Sequence, residues 1–221
     1  MAAKRKRKKK MKLSAKIYRY RRLILALSVL FAIIMFFIIS SVSTDENGDK
    51  GIQTVSSEQL IFEFLTNDME LNEAAACGVL ANIEKESGFD CDNTERGYTW
   101  EEGAGYGICQ WTNYPRTSDS GRRTQLIDWC NENGFDYKSL SGQLNFLKYE
   151  LENDSTFTED VTEKLKEVSN DAQGAYEAGY CWCYSFEVPE GFDEGVSESR
   201  GELARNKYWP KYGVGSSSKP K

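Results

Sequence analysis

Apolar residues follow two patterns along this chain: one unbroken block, and then a series of short stripes. The block, Leu23 to Val42, reads LILALSVLFAIIMFFIISSV, about 20 residues without a charge. As a helix it spans roughly 30 Å, the thickness of a bilayer's hydrocarbon core. Beyond residue 55 the stripes take helical spacing. Ser56 and Gln59 form a capping box that opens a helix through Met69, with Leu60, Ile61, Phe64 and Leu65 on its apolar face. Asn72 caps a second helix that runs to Ser87 and stops at Gly88. Residues 89–121, rich in Gly, Asn, Thr, Ser and Asp, predict loops with a short strand pair. Further helices are predicted over 122–133 (ended by Gly134), 139–151 (Leu140, Leu144, Leu147 and Leu151 on one face), 161–168, 172–186 and 202–209, with Pro189 and Pro210 as stops. The fold class is mainly α, with a Gly-rich loop or small β region, preceded by one transmembrane helix.

Charge divides the chain in the same place. Residues 1–44 hold twelve Lys and Arg and no acid, which leaves 16 bases against all 34 acids in residues 45–221. A basic stub before an apolar block follows the positive-inside pattern, so residues 1–22 are expected in the cytoplasm, 23–42 in the membrane and the rest outside. Two other readings compete. A nucleic-acid arm would not lead directly into a spanning segment, and no nucleic-acid partner is expected. A cleaved signal peptide would have a shorter apolar run and a small-residue site better than Ser41-Val42-Ser43. Residues 43–54 read as a polar linker and 213–221 as a flexible tail, leaving 55–212 as one domain large enough for a core.

Composition narrows the chemistry. The chain has no His, so neither a Ser-His-Asp nor a Cys-His nucleophile is possible, nor a His-ligated zinc site. An exported peptidase is correspondingly disfavoured. All six Cys lie beyond the apolar block, and three disulfides are the leading expectation for an exported domain. Fewer bridges with some thiols free is the alternative. The one close pair, Cys181 and Cys183, lacks the spacing of a zinc site. No cofactor and no metal are expected.

What remains is carboxylate chemistry. On the second helix Ala76, Val79, Leu80, Ile83 and Ser87 share a stripe, with Glu84 and Glu86 near its two edges and Lys85 opposite. Periodicity does not choose between the two acids. Position favours Glu86, in the last turn before a Gly-Phe break where a cleft can open. Burial and the helix's C-terminal dipole both disfavour a carboxylate there, raise its pKa and suit it to general-acid work. Candidate second acids are Glu95, Glu101, Glu102 and Glu187. Tyr98, Trp100, Tyr106, Trp111 and Tyr114 crowd the following loops and Trp182 and Tyr184 lie later, suited to stacking on sugar rings, although about half are expected in the core. Trp129 and Trp209 are expected there too.

The run NIEKESGFD, followed by GYGICQW, RRTQLIDW and LSGQLNFLKYEL, resembles the phage-tail lysozyme family, related to goose-type lysozymes and lytic transglycosylases, over residues 58–210. The resemblance implies a lysozyme-like domain with Glu86 as catalytic acid. It also implies a substrate-binding set of Ser87, Tyr106, Gln110 (ending the G-x-x-Q element 107–110), Trp111 and Glu187. Glu187 comes from SFEVP, where Val188 interrupts the family's Phe-Glu-Pro element. The implied reaction is cleavage of the β-1,4 bond between N-acetylmuramic acid and N-acetylglucosamine, by hydrolysis or transglycosylation. The alternative is a non-catalytic cell-wall-binding or assembly module of the same fold. The partners expected are peptidoglycan glycan strands and, by analogy, a secretion or conjugation apparatus, together with the membrane through the apolar N-terminal segment.

Overall fold

The computed structural model describes residues 55–154, 157–187 and 194–213. The chain divides into two compact units, residues 1–53 and 54–221, and the described residues belong to the second. The basic stub, the Leu23–Val42 segment, the linker and the tail beyond Gly213 lie outside them. No helix among the described residues is long and apolar enough to cross a membrane.

The helices are α1 (Ser57–Asn67), α2 (Glu73–Ser87), α3 (Arg122–Asn133), α4 (Leu140–Asn153), α5 (Glu163–Glu167), α6 (Ala172–Trp182), α7 (Glu194–Leu203) and α8 (Trp209–Tyr212). Local chemistry sets the early boundaries. Ser56 accepts from the Gln59 amide, Asn72 from Ala75 and Ser139 from Gly142. Gly88 and Gly134 close α2 and α3 in the left-handed region, at φ 63° and 77°.

The second half departs from expectation. The predicted helix over 172–186 is α6 followed by a π-helical turn at Cys183–Glu187. A second π-helical turn, Thr158–Thr162, leads into α5. Helix α7 carries few apolar residues and no periodicity that announces it; it is held by α6, where Gly201 lies against Tyr176. Pro210 does not stop a helix but sits in the first turn of α8, where its missing N–H costs nothing. The anticipated strand pair reduces to isolated bridges: Thr94 with Tyr106, Tyr106 with Trp111, and Asn113 with Gly121. The described residues contain no longer strand, and the domain is mainly helical.

Helix α2 is the centre of the core. Rather than one stripe, every residue from Ala74 to Ile83 is buried, as befits a helix surrounded by others. Small side chains allow the crossing: a Cβ on Gly78 would stand 2.5 Å from the Ala178 Cβ and the Gly179 amide nitrogen of α6. Asn82, fully buried, donates to Gly78 O and Gly179 O, each at 3.0 Å, and ties the two helices together.

The expected disulfides are absent: all six cysteines are free. Cys77 is enclosed in α2, Cys130 Sγ faces Gly142 O at 3.6 Å, and Cys181 Sγ faces Asp160 O at 3.6 Å. Cys181 and Cys183, two apart on helical backbone, point in different directions. Cys77, Cys91, Cys109 and Cys130 pack with the apolar core as small hydrophobes.

Candidate active site

The site begins where α2 ends. Gly88 and Phe89 both take positive φ, 63° and 69°, and turn the chain sharply away. Ser87 secures that turn: its hydroxyl lies 3.1 Å from both Ile83 O and Ile108 O, and accepts from the Phe89 amide at 3.2 Å. Ser87 thereby joins the end of α2 to the loop carrying Gly107-Ile108-Cys109-Gln110. Gln143, fully buried on α4, holds that loop from behind. It accepts from the Ile108 amide at 2.9 Å and donates to Cys91 O and Tyr137 O. Gly107, at φ 76°, has no room for a Cβ, which would meet Gln143 Oε1 at 2.5 Å.

Glu86 extends from this corner with its side chain 20 % exposed, its Oε1 accepting from Arg200 Nη2 at 2.8 Å. Burial raises the pKa of its carboxyl, and although Arg200 pulls the other way, burial prevails; the charge of Glu95 adds to the rise. Glu84 lies in a different environment. Lys207 Nζ and the Tyr208 hydroxyl each donate to it at 2.6 Å. Burial pushes its pKa up, but those hydrogen bonds and the charge of Lys207 outweigh it and keep Glu84 ionised. Of the two acids, the one tuned towards protonation is Glu86.

The late π-helical turn brings Glu187 into the electrostatic reach of Glu86. Glu187 accepts from Trp182 Nε1 at 2.8 Å. Burial, then repulsion from Glu86, pushes its carboxyl up to about 8 despite Arg122 and Arg200. A third acid, Glu95, is held by Arg116 at 2.5 and 3.1 Å and by the Gly105 amide at 2.9 Å. Burial opposes ionisation there as well, yet these bonds hold its pKa below the ordinary value. Glu101 and Glu102 are exposed, and Glu102 accepts from the Thr99 amide.

The remaining sequence candidates divide. Gln110, at φ 48°, donates from Nε2 to Gly107 O and Asn93 O, and Asn93 donates to Glu86 O at 3.3 Å, so Gln110 belongs to the wall around Glu86. Tyr106 and Trp111 turn inward. Tyr106 is 3 % exposed and its hydroxyl donates to Asp92. Trp111 is fully buried and donates from Nε1 to Glu150 Oε2 at 3.0 Å. Tyr98, Trp100, Tyr114 and Tyr184 keep exposed rings, whereas Trp182 is buried and Trp129 and Trp209 are half-buried against the core.

Other residues at the site have partners that the sequence does not announce. Arg200 reaches Glu86 across 114 positions. Arg122 pairs with Glu150 at 2.7 and 3.0 Å, donates to Phe186 O, and lies over the Phe186 ring at 4.2 Å, so it supports the turn that presents Glu187. The Arg122–Glu150 pairing had no local signal either, since its members lie 28 residues apart on different helices.

Among known proteins, morphogenesis protein 1 of Bacillus phage B103 is 25% identical over 168 residues, which cover 75% of this chain and 41% of that protein. The chain therefore spans less than half the length of the phage protein. Residues 56–211, from the cap of α1 to α8, match the family model described as phage tail lysozyme. With that match taking in the whole helical domain around Glu86, the chain belongs to the phage tail lysozyme family.

Proposed function

We propose that this domain cleaves the β-1,4 bond between N-acetylmuramic acid and N-acetylglucosamine in peptidoglycan, with Glu86 as general acid. The observation that carries the reading is the environment of Glu86: a carboxyl at the end of a buried helix, beside a Gly-rich loop, kept towards protonation by burial even with Arg200 at 2.8 Å. Protonated, it donates to the glycosidic oxygen as positive charge develops on the sugar. Arg200 then stabilises the carboxylate that is left.

Hydrolysis would need a second carboxylate to activate water. Glu95 is engaged by Arg116 and the Gly105 amide, and Glu187 holds its proton to about pH 8. That favours the transglycosylase route, in which the Glu86 carboxylate takes the proton back from the sugar's 6-hydroxyl as its oxygen closes onto C1. The products then carry 1,6-anhydro ends, one water lighter than reducing ends. Gln110, Ser87 and the exposed rings of Tyr98, Trp100 and Tyr114 form the cleft wall in this reading.

Residues 1–54 would then supply a cytoplasmic stub, a single membrane span at 23–42, and a tether of about 12 residues reaching at most roughly 40 Å. An enzyme so placed opens membrane-proximal wall, as a secretion or conjugation apparatus requires. The phage relative is named for morphogenesis, which accords with wall opening around an assembly. Mass spectrometry of fragments released from purified peptidoglycan tests the whole. Anhydro muropeptides support the route, reducing ends restore hydrolysis, and wall binding without fragments leaves the non-catalytic module.

A further inference from the structure

We infer that the surface cleft bounded by α5, α6 and the start of α7 binds the peptide stem attached to the glycan, an inference that rests on the peptidoglycan reading above. The cleft has a volume of about 610 Å³ and is lined by Lys164, Tyr180, Cys181, Tyr184, Ser185 and Glu194. That size falls within the usual range for small ligands. Its walls carry opposite charges, Lys164 from α5 and Glu194 from the first residue of α7. The rings of Tyr180 and Tyr184 also line it, within 10° of parallel and with centroids 6.1 Å apart. The Tyr180 hydroxyl donates to Glu194 Oε1 at 3.3 Å and ties the carboxylate to the aromatic wall.

A carboxylate beside tyrosine rings recognises an organic ammonium, by ion pairing and by attraction to the ring faces. Lys164 complements a carboxylate. It meets Asp160 at 3.9 Å, a long exposed contact that a ligand can displace at little cost. A stem peptide offers both, an ammonium on its diamino-acid side chain and carboxylates along the chain and at its end. An N-acetylated glycan strand alone has no ammonium to offer Glu194.

The location suits a stem rather than a free peptide. Tyr184 and Ser185 belong to the same π-helical turn as Glu187, the residue whose charge reaches Glu86. A peptide hanging from a sugar bound near Glu86 would enter the cleft across that turn.

The test uses the full-length chain and its Glu194→Gln and Lys164→Met variants, both at exposed positions. Each is titrated calorimetrically with the soluble tetrapeptide L-Ala-γ-D-Glu-L-Lys-D-Ala. Each is also assayed on intact peptidoglycan and on strands stripped of stems by an amidase. The wild type is expected to bind the tetrapeptide, each variant to bind about fivefold more weakly, and KM on intact peptidoglycan to rise about fivefold with kcat and the stripped-strand rate unchanged. Absence of tetrapeptide binding, equal binding by the variants, or equal losses on both substrates would overturn the assignment. If the wild type releases nothing from either substrate, the glycosidase reading fails, while the titration still decides the cleft.

Discussion

At the scale of single residues, the site depends on which carboxylates the fold shifts towards protonation. Glu86→Gln is nearly isosteric and keeps an acceptor for Arg200, so it should cost at least 10²-fold in fragment release while the melting temperature stays within a few degrees. Equal release by the variant would remove Glu86 from the acid role. Arg200 should act through Glu86. Without its charge, the Glu86 pKa rises further, so Arg200→Gln should move the alkaline limb of the pH–rate profile to higher pH. An unmoved limb would mean that the contact is structural. Glu187 makes the opposite kind of prediction, about stability. Its carboxyl is protonated in the folded state up to about pH 8, whereas an unfolded chain releases the proton near 4.5. Between those values the unfolded state binds fewer protons, so the group's contribution turns progressively unfavourable as pH rises. Glu187→Gln should match the wild type in thermal melts near pH 4 and exceed it by roughly 5 °C or more above pH 8. Parallel melting curves across that range would contradict the raised pKa.

At the scale of elements, the crossing of α2 and α6 positions everything else. It brings the end of α2 towards the turn bearing Glu187, and it depends on small residues more than on large ones. Gly78→Ala places a methyl 2.5 Å from the backbone and Cβ of α6. Backbone cannot step aside as a flexible side chain can, so a loss of about 1–3 kcal/mol is expected in denaturant unfolding. A neutral result would show that the helices separate easily. The local boundaries of α1 to α4 were legible because caps and glycine stops act within three or four residues: Ser56 on Gln59, Asn72 on Ala75, Gly88 after Ser87. The π-helical turns and α7 were not legible. Their backbone follows what packs against them, such as Gly201 on Tyr176 or Arg122 on Phe186, and those partners are distant in sequence.

For the whole molecule, cysteine count and disulfide content part company. An even cysteine count beyond an apolar segment reads as a disulfide framework, yet the core α2 builds with its neighbours leaves each thiol buried or half-buried and separate. Burial pushes Cys77 up to about 12 and Cys130 up to about 11, and raises Cys109 well above the ordinary thiol value. These thiols are inert at neutral pH. Titration with an aromatic disulfide reagent, without prior reduction, should find six thiols per chain after unfolding and few before it. Fewer than six in the unfolded chain would indicate bridges. The formal charge of −6 likewise belongs to no single surface, since it joins a basic first segment to a domain carrying a large excess of acids.

The sequence by itself determined the helical class, the early helix boundaries, the absence of histidine chemistry and the position of Glu86 at a helix end beside a Gly-rich loop. Each depends on composition or on interactions spanning a few residues. Only the tertiary structure separated the environments of Glu84 and Glu86, set by Lys207 and Tyr208 in one case and Arg200 in the other, more than a hundred positions away. It also decided that Trp111 and Tyr106 fill the core, that Glu187 comes within reach of Glu86, and that the cysteines stay apart. Burial and charge depend on neighbours in space, and those neighbours are distant along the chain.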